Sequence, residues 1–165
     1  MAFLKDKSDG DIGENIALEV LAMLYPEKSF EKDKTKKVEF DIFELNVPLE
    51  KQMTIEVKYD IMARKTGNLC FELGNFTKKD GHKKTGVAVT QAKEVWYVTG
   101  TPDDYVVIRF NTVKLLQHLL YAMATKSDVK VVNGGDQNRF TLLLLKASSI
   151  LENKELCTVY RKNKE

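Results

Sequence analysis

The sequence predicts an α/β fold in which helices flank a mixed central β-sheet. Two kinds of periodicity lead to this prediction. Apolar residues recur at helical spacing over residues 11–24 and again over residues 113–123. Residues 38–45 are rich in strand-forming types, and residues 53–59 alternate polar with apolar positions. Helical and strand segments of this kind follow one another along the whole chain, which is typical of α/β proteins.

Length and composition indicate one globular domain. The chain has 165 residues, 43% hydrophobic and 30% charged, which suffices for a buried core. The net charge is +2, so an anionic partner must be held by local clusters. The N-terminus lacks an apolar stretch of signal-peptide length, and no run approaches the roughly 20 apolar residues of a membrane span. We therefore expect residues 1–165 to form a single cytoplasmic domain that does not enter membranes.

The first half of the chain predicts one helix and a strand hairpin. The helix spans residues 11–24 and ends before Tyr25-Pro26, because proline disfavours helical geometry in the residue before it. The charged residues 27–37 are expected to form a loop. The strands cover residues 38–45 and 53–59, and the short connection at residues 46–50 predicts a hairpin.

The second half continues with alternating strands and helices. Asn111 is expected to cap an amphipathic helix. Cys70 and Cys157 show no motif spacing and are expected to be reduced thiols. The tail from residue 155 is expected to fray at its end. The other predicted elements are strands at 68–73, 95–98 and 105–110, a polar loop at 75–84, a short helix at 85–94, and a strand pair at 130–132 and 140–145.

Two carboxylates and an amine on neighbouring strands are the most informative residues. Asp41 lies on one predicted strand, and Glu56 and Lys58 lie on the next. Side chains two positions apart share a face of a strand, so Glu56 and Lys58 point away from Ile55 and Val57. Asp41 on the adjacent strand can then meet both. A cross-strand ion pair on a solvated face is the alternative interpretation of the same pattern.

This set of groups is suited to hydrolysing a phosphodiester bond. Mg²⁺ prefers oxygen ligands and often takes only one or two protein carboxylates. Asp41, Glu56 and the backbone carbonyl of Val57 are the candidate ligands. The metal would lower the pKa of bound water, and Lys58 would orient that water or neutralise the transition state.

A further carboxylate is expected from the first helix. Glu14 is the candidate, because it falls on the side of Ala17 and Leu18 that faces the predicted sheet. Glu19 on the same helix is the rival, and a glutamate near a helix N-terminus often serves only the helix dipole. Glu72 on the third strand is open between a metal or water ligand and an ordinary surface residue.

The order and spacing of these residues resemble the PD-(D/E)XK nuclease superfamily, which includes many restriction endonucleases, archaeal-type Holliday junction resolvases and phage exonucleases. The matching pieces are Gly13-Glu14 opening a helix, Phe40-Asp41 on a strand and Glu56-Val57-Lys58 on the next. Phe40 departs from the proline of the family motif. The resemblance implies a restriction endonuclease-like core and a Mg²⁺-dependent nuclease with Asp41, Glu56 and Lys58 as the core triad. Mn²⁺ is expected to substitute, and a phage member would act in the host cytoplasm.

A lysine-rich segment after the third predicted strand is the candidate DNA contact. Each phosphate that a cation neutralises releases counterions and adds affinity without sequence information. The alternative is a solvated loop. The resemblance also implies a polar residue near the scissile phosphate at Gln91, with Thr85 and Thr90 as weaker candidates for the same role. The basic residues are Lys78, Lys79, His82, Lys83 and Lys84.

The sequence thus predicts a metal-dependent endonuclease that hydrolyses DNA. Two alternatives stay open. A structure-selective Holliday junction resolvase would use the same chemistry in a symmetric homodimer. A non-catalytic nucleic-acid-binding module would keep the fold alone. The pattern does not distinguish DNA from RNA or endonuclease from exonuclease action.

Overall fold

A computed structural model describes residues 2–35, 40–77, 81–134 and 139–163 of the chain. It has the predicted α/β fold, with a mixed central sheet flanked by helices. The helices are α1 (Ala2–Leu24), α2 (Ala63–Thr66), α3 (Thr112–Thr125) and α4 (Ala147–Leu151), with a 3₁₀ turn at Gly86–Ala88. The strands are β1 (Phe30–Lys32), β2 (Ile42–Glu44), β3 (Thr54–Tyr59), β4 (Asn68–Thr77), β5 (Gly81–Lys84), β6 (Glu94–Thr101), β7 (Asp104–Asn111), β8 (Val129–Gly134), β9 (Phe140–Lys146) and β10 (Cys157–Lys162).

The strands form two sheets. The central sheet has the order β1-β2-β3-β6-β7-β10. β3 and β6 pair in parallel, and the other neighbouring strands of this sheet pair antiparallel. A parallel pair needs a long crossover, and the chain between β3 and β6 supplies it with α2, β4, β5 and the 3₁₀ turn. The second sheet is antiparallel, in the order β5-β4-β9-β8.

The central sheet separates two hydrophobic clusters. Alternate residues of β6 divide between them, because successive side chains of a strand point to opposite faces. On one face, α1 packs with Ile16, Ala17, Val20 and Leu21 against Ile42, Ile55, Trp96 and Val98. On the other face, Val95, Tyr97 and Phe110 pack against α3 and the second sheet through Leu115, Leu119, Phe71 and Leu143. Trp96 and Tyr97 are fully buried core residues.

Several local predictions are confirmed. α1 ends at Leu24, directly before Tyr25-Pro26, and β2 and β3 form an antiparallel pair. Asn111 caps α3, since its side chain accepts a hydrogen bond from the Lys114 amide at 3.2 Å. β8 and β9 pair as a hairpin-like unit. Both cysteines are free thiols. No helix in the described part of the chain is long and apolar enough to span a bilayer.

Two edge strands were not predicted. The charged segment 27–37, expected to be a loop, contains β1. The tail from residue 155, for which no element was predicted, contains β10, which pairs with β7 along its length. Both strands lie at the edges of the central sheet, where polar side chains stay solvated. An apolar run is therefore not needed to form them, and the sequence shows none. α1 also begins at Ala2, well before residue 11, so Gly13 lies within the helix and does not open it.

The segment between residues 68 and 94 differs most from expectation. The predicted third strand is longer and belongs to the second sheet. The range 75–84, expected to be a polar loop, contains the end of β4 and all of β5, which pair antiparallel with each other. The predicted helix 85–94 is reduced to the 3₁₀ turn. Gly86 has a φ of 55°, and a Cβ there would lie 2.8 Å from the Glu72 carbonyl oxygen. Gly86 thus packs closely against Glu72 of β4, and the chain at this point does not form a regular helix.

Candidate active site

Asp41 lies directly before β2, and its carboxylate is bound to the edge of β3. The Asp41 amide donates to the Ile55 carbonyl at 2.9 Å, and the Val57 amide donates to Asp41 Oδ2 at 2.7 Å. Ile42 is the Cα partner of Ile55, so the next antiparallel position brings Asp41 beside Glu56. The Asp41 carboxylate thus accepts the hydrogen bond from the Val57 amide that a backbone carbonyl would accept if β2 were longer. Asp41 is thereby fastened to the strand that carries the other core residues.

The Val57 carbonyl faces the same edge of β3. The N–H and C=O of one strand residue point to the same side, and the direction repeats two residues along. The Ile55 carbonyl and the Val57 amide both bond to Asp41, which fixes this side as the one that faces β2. The Val57 carbonyl oxygen therefore points towards the space beside the Asp41 carboxylate.

Glu56 and Lys58 point to the face of the central sheet opposite α1. Ile55 is fully buried in the cluster around α1, and Val57 and Tyr59 pack against that cluster. Alternation turns Glu56 and Lys58 towards the side of the second sheet, as the sequence predicts. Both side chains are half-buried.

Residues from the crossover between β3 and β6 meet these side chains. Thr90 Oγ1 donates to Glu56 Oε2 at 3.4 Å. Burial raises the pKa of the Cys70 thiol on β4, while the positive charge of Lys58 opposes that shift and the Glu72 carboxylate adds to it. Lys58, Cys70 and Glu72 are thus close enough to interact electrostatically.

Glu72 is part of a small polar network. It is half-buried, and Thr85 Oγ1 donates to its Oε1 at 2.5 Å. The two roles that the sequence left open for Glu72, a metal or water ligand and a surface residue, both stay predictions. Thr85 is a predicted DNA contact, and its hydroxyl donates to Glu72. Its role towards DNA stays a prediction.

The two candidate glutamates of α1 have different neighbours. Glu14 Oε2 lies 3.1 Å from Lys32 Nζ of β1, the strand that pairs with β2. Glu19 accepts hydrogen bonds from Lys162 Nζ at 2.9 Å and from the Tyr105 hydroxyl at 3.3 Å, on the far strands β10 and β7. Glu14 is therefore the one beside β1, which pairs with β2 next to Asp41. It lies on the α1 face, however, and its participation in the site stays a prediction.

The predicted DNA contacts occupy the edge strand of the second sheet. His82, Lys83 and Lys84 are exposed on β5, and Gln91 is exposed between the 3₁₀ turn and β6. The hairpin continues directly from Lys84 into Thr85, which bonds to Glu72. Lys78 and Lys79 lie outside the described residues.

One relevant residue was missed at the level of sequence. Asp60 continues the alternation of positions 56 and 58, which is the signal that points to it. The Tyr97 hydroxyl donates to Asp60 Oδ2 and accepts from the Cys70 amide at 2.9 Å. Tyr97 thus joins the end of β3 to β4 and holds the two walls of the candidate site together.

Comparison with known proteins adds one distant likeness. No family model and no curated protein matches the chain. Among solved structures, the chain is similar to a bacterial homing endonuclease, I-Ssp6803I, with a TM-score of 0.45 and 17% identity. The match covers 64% of this chain and 68% of that chain. At this identity and TM-score the likeness does not establish what this protein does, which has to follow from the site itself.

Proposed function

We propose that this protein is a metal-dependent nuclease of the PD-(D/E)XK type that hydrolyses phosphodiester bonds of DNA. The observation that carries the proposal is the 2.7 Å hydrogen bond from the Val57 amide to Asp41 Oδ2. It fastens one carboxylate to the strand from which Glu56 and Lys58 project. Glu56 and Lys58 lie on one short stretch of β3, and the Asp41 side chain is bonded to that stretch from the neighbouring segment.

The donor atoms fit a hard divalent cation. Asp41 and Glu56 supply carboxylate oxygens, and the Val57 carbonyl faces the Asp41 side of β3. Mg²⁺ prefers such oxygens and commonly completes its shell with waters and substrate phosphate. No group of three or more His, Cys, Asp or Glu side chains suited to a metal occurs among the described residues. The proposed centre therefore depends on two carboxylates and the carbonyl, and Mn²⁺ should substitute because it accepts the same ligands.

When bound, the cation would lower the pKa of a coordinated water and offset negative charge on the phosphate. The protein groups have separate tasks. Asp41 and Glu56 hold the ion beside the scissile bond. Lys58 is half-buried on the same face as Glu56, and its ammonium group would orient the attacking water and balance charge that develops on the phosphate oxygens.

The exposed basic strand β5 is the proposed binding surface for the DNA substrate. His82, Lys83 and Lys84 are on β5, which pairs with β4, the strand that carries Glu72. Contacts to phosphates position a duplex without reading its sequence. We propose that β5, together with Lys78 and Lys79, holds the DNA backbone.

Two substitutions test the proposed function. Asp41→Ala and Lys58→Ala should each abolish Mg²⁺-dependent DNA cleavage and leave the far-ultraviolet circular dichroism unchanged. Asp103→Ala and Lys154→Ala, at exposed positions outside β3, are the matched controls and should cleave normally. Full cleavage by either test variant would overturn the proposal.

A substrate panel separates the related functions. The purified protein would be incubated with linear, nicked, four-way and single-stranded DNA and with RNA, each with Mg²⁺, with Mn²⁺ and without metal. Cleavage of linear DNA supports the proposal. A dimeric mass with preference for four-way junctions would indicate a resolvase. DNA binding without calorimetric binding of Mg²⁺ or Mn²⁺ would indicate a non-catalytic module.

The role of Glu14 has its own pair of variants. Glu14→Gln removes the acid, whereas Lys32→Met breaks the same ion pair from the other side. If Glu14 takes part in cleavage, only the first variant should lose activity. Equal behaviour of the two variants would assign Glu14 to the ion pair alone.

A further inference from the structure

The segment before β6 is fastened to β3 at two alternate positions. The Lys93 amide donates to Thr54 Oγ1 at 2.9 Å, and Thr90 Oγ1 donates to Glu56 Oε2 at 3.4 Å. Thr54 and Glu56 are two residues apart and share a face of the strand. The segment therefore lies along the face of β3 from which the candidate metal ligand projects.

The Thr90 hydroxyl has a defined direction. The Ala92 amide donates to Thr90 Oγ1 at 3.2 Å and occupies an acceptor position of that oxygen. The Thr90 amide in turn donates to the Gly86 carbonyl at 3.2 Å, which ties the residue to the 3₁₀ turn. Threonine is also stiff at χ1, because it is branched at Cβ. Held in this way, the Thr90 hydroxyl stays 3.4 Å from Glu56 Oε2, to which it donates.

We propose that Thr90 is a positioning residue for Glu56. It holds the carboxylate in one orientation before a divalent cation arrives, and it touches neither the cation nor the DNA. Hydrogen bonds that orient a ligand raise metal affinity, because the ligand no longer has to be ordered when the metal binds. The inference rests on the proposed nuclease function, and it gives Thr90 a different role from the phosphate contact expected from the sequence.

The test compares Mg²⁺ dependence in two variants at one position. Thr90→Val keeps the branched shape and removes the hydroxyl, and Thr90→Ser keeps the hydroxyl. We expect Thr90→Val to raise the half-saturating Mg²⁺ concentration for cleavage by roughly tenfold. Its affinity for DNA without divalent metal, measured by fluorescence anisotropy, should be unchanged. Thr90→Ser should restore the Mg²⁺ dependence of the wild type.

A matched control removes a threonine hydroxyl elsewhere. Thr125 Oγ1 donates to the Tyr121 carbonyl at 2.9 Å within α3, so Thr125→Val makes the same chemical change away from β3. It should leave the Mg²⁺ dependence unchanged. Urea unfolding of each variant separates a general loss of stability from the specific change, because a purely structural role would alter stability and not the metal requirement.

Two results would overturn the inference. One is an unchanged half-saturating Mg²⁺ concentration in Thr90→Val. The other is weakened metal-free DNA binding by Thr90→Val with a normal Mg²⁺ requirement, which would make Thr90 a DNA contact. Calorimetric titration of Mn²⁺ into the wild type and Thr90→Val gives a readout that does not need cleavage. Failure of the wild type to cleave any substrate would count against the nuclease proposal, and the Mn²⁺ affinities would still decide the role of Thr90.

Discussion

Substituting Gly13 by alanine tests how closely α1 approaches the strand of the candidate site. Gly13 is buried within α1, and a methyl group there would lie 2.6 Å from Tyr59 Cβ and 3.1 Å from Tyr59 Cγ. Tyr59 is on β3, next to Lys58. Because Cβ is attached directly to the backbone, rotation of the tyrosine side chain cannot relieve the contact. The helix or the strand must move.

Two effects determine the size of the change. Alanine is more favourable than glycine in a helix interior by about 0.5–1 kcal/mol. Forcing an extra methyl group into a packed core costs typically about 1–3 kcal/mol. We expect the steric cost to dominate, so that Gly13→Ala lowers the free energy of unfolding by roughly 1–2 kcal/mol. At about 2–4 °C per kcal/mol for a chain of this size, Tm should fall by several degrees.

Gly10 provides the matched control in the same helix. A Cβ at Gly10 would meet no atom within 4 Å, so Gly10→Ala should be more stable than the wild type by about 0.5–1 kcal/mol. Urea unfolding followed by circular dichroism measures both variants. The helix propensity gain cancels in their difference, which leaves the steric cost. If Gly13→Ala is as stable as Gly10→Ala, the close approach of α1 to β3 is wrong.

Three further predictions concern single groups. Burial and then the Asp60 carboxylate raise the pKa of Tyr97 in the folded protein. The stability contributed by neutral Tyr97 is therefore present below the unfolded-state pKa of about 10 and is lost as pH rises above it. Urea unfolding should show this decline in the wild type and less of it in Tyr97→Phe. Asn111→Ala should lower the free energy of unfolding by about 1 kcal/mol in the same assay, whereas Asn111→Asp should keep the cap. Burial raises the pKa of both Cys70 and Cys157, so mass spectrometry should show slow alkylation by iodoacetamide in the folded protein and fast alkylation in urea.

Predictions based on local chemistry agree best with the structure. Proline at position 26 ends α1, Asn111 caps α3, and alternation assigns the two faces of β3. Each of these depends on residues a few positions apart, whose geometry is the same in any fold. The edge strands β1 and β10 were missed because an edge strand is stabilised by its partner's backbone, and nothing in its own side chains needs to be apolar.

The crossover between β3 and β6 could not be predicted for a related reason. The end of β4 and the strand β5 pair at the exposed edge of the second sheet, and polarity alone does not distinguish such edge strands from a loop. Residues 85–94 carry no strong helix breaker except Gly86, yet they form a single 3₁₀ turn. Packing of Gly86 against Glu72 decides the conformation there, and that contact depends on the position of β4.

The sequence by itself determined which groups are available and which way they point along one strand. Glu56 and Lys58 share a face because the period of a strand is two, and Asp41 lies one hairpin away. Only the tertiary structure decided how these groups meet their neighbours. It binds the Asp41 carboxylate to the Val57 amide, sets Glu14 beside Lys32 on the α1 face and brings Thr90 to Glu56. The physical reason is that such contacts depend on the order of strands and the packing of layers, which local periodicity does not encode.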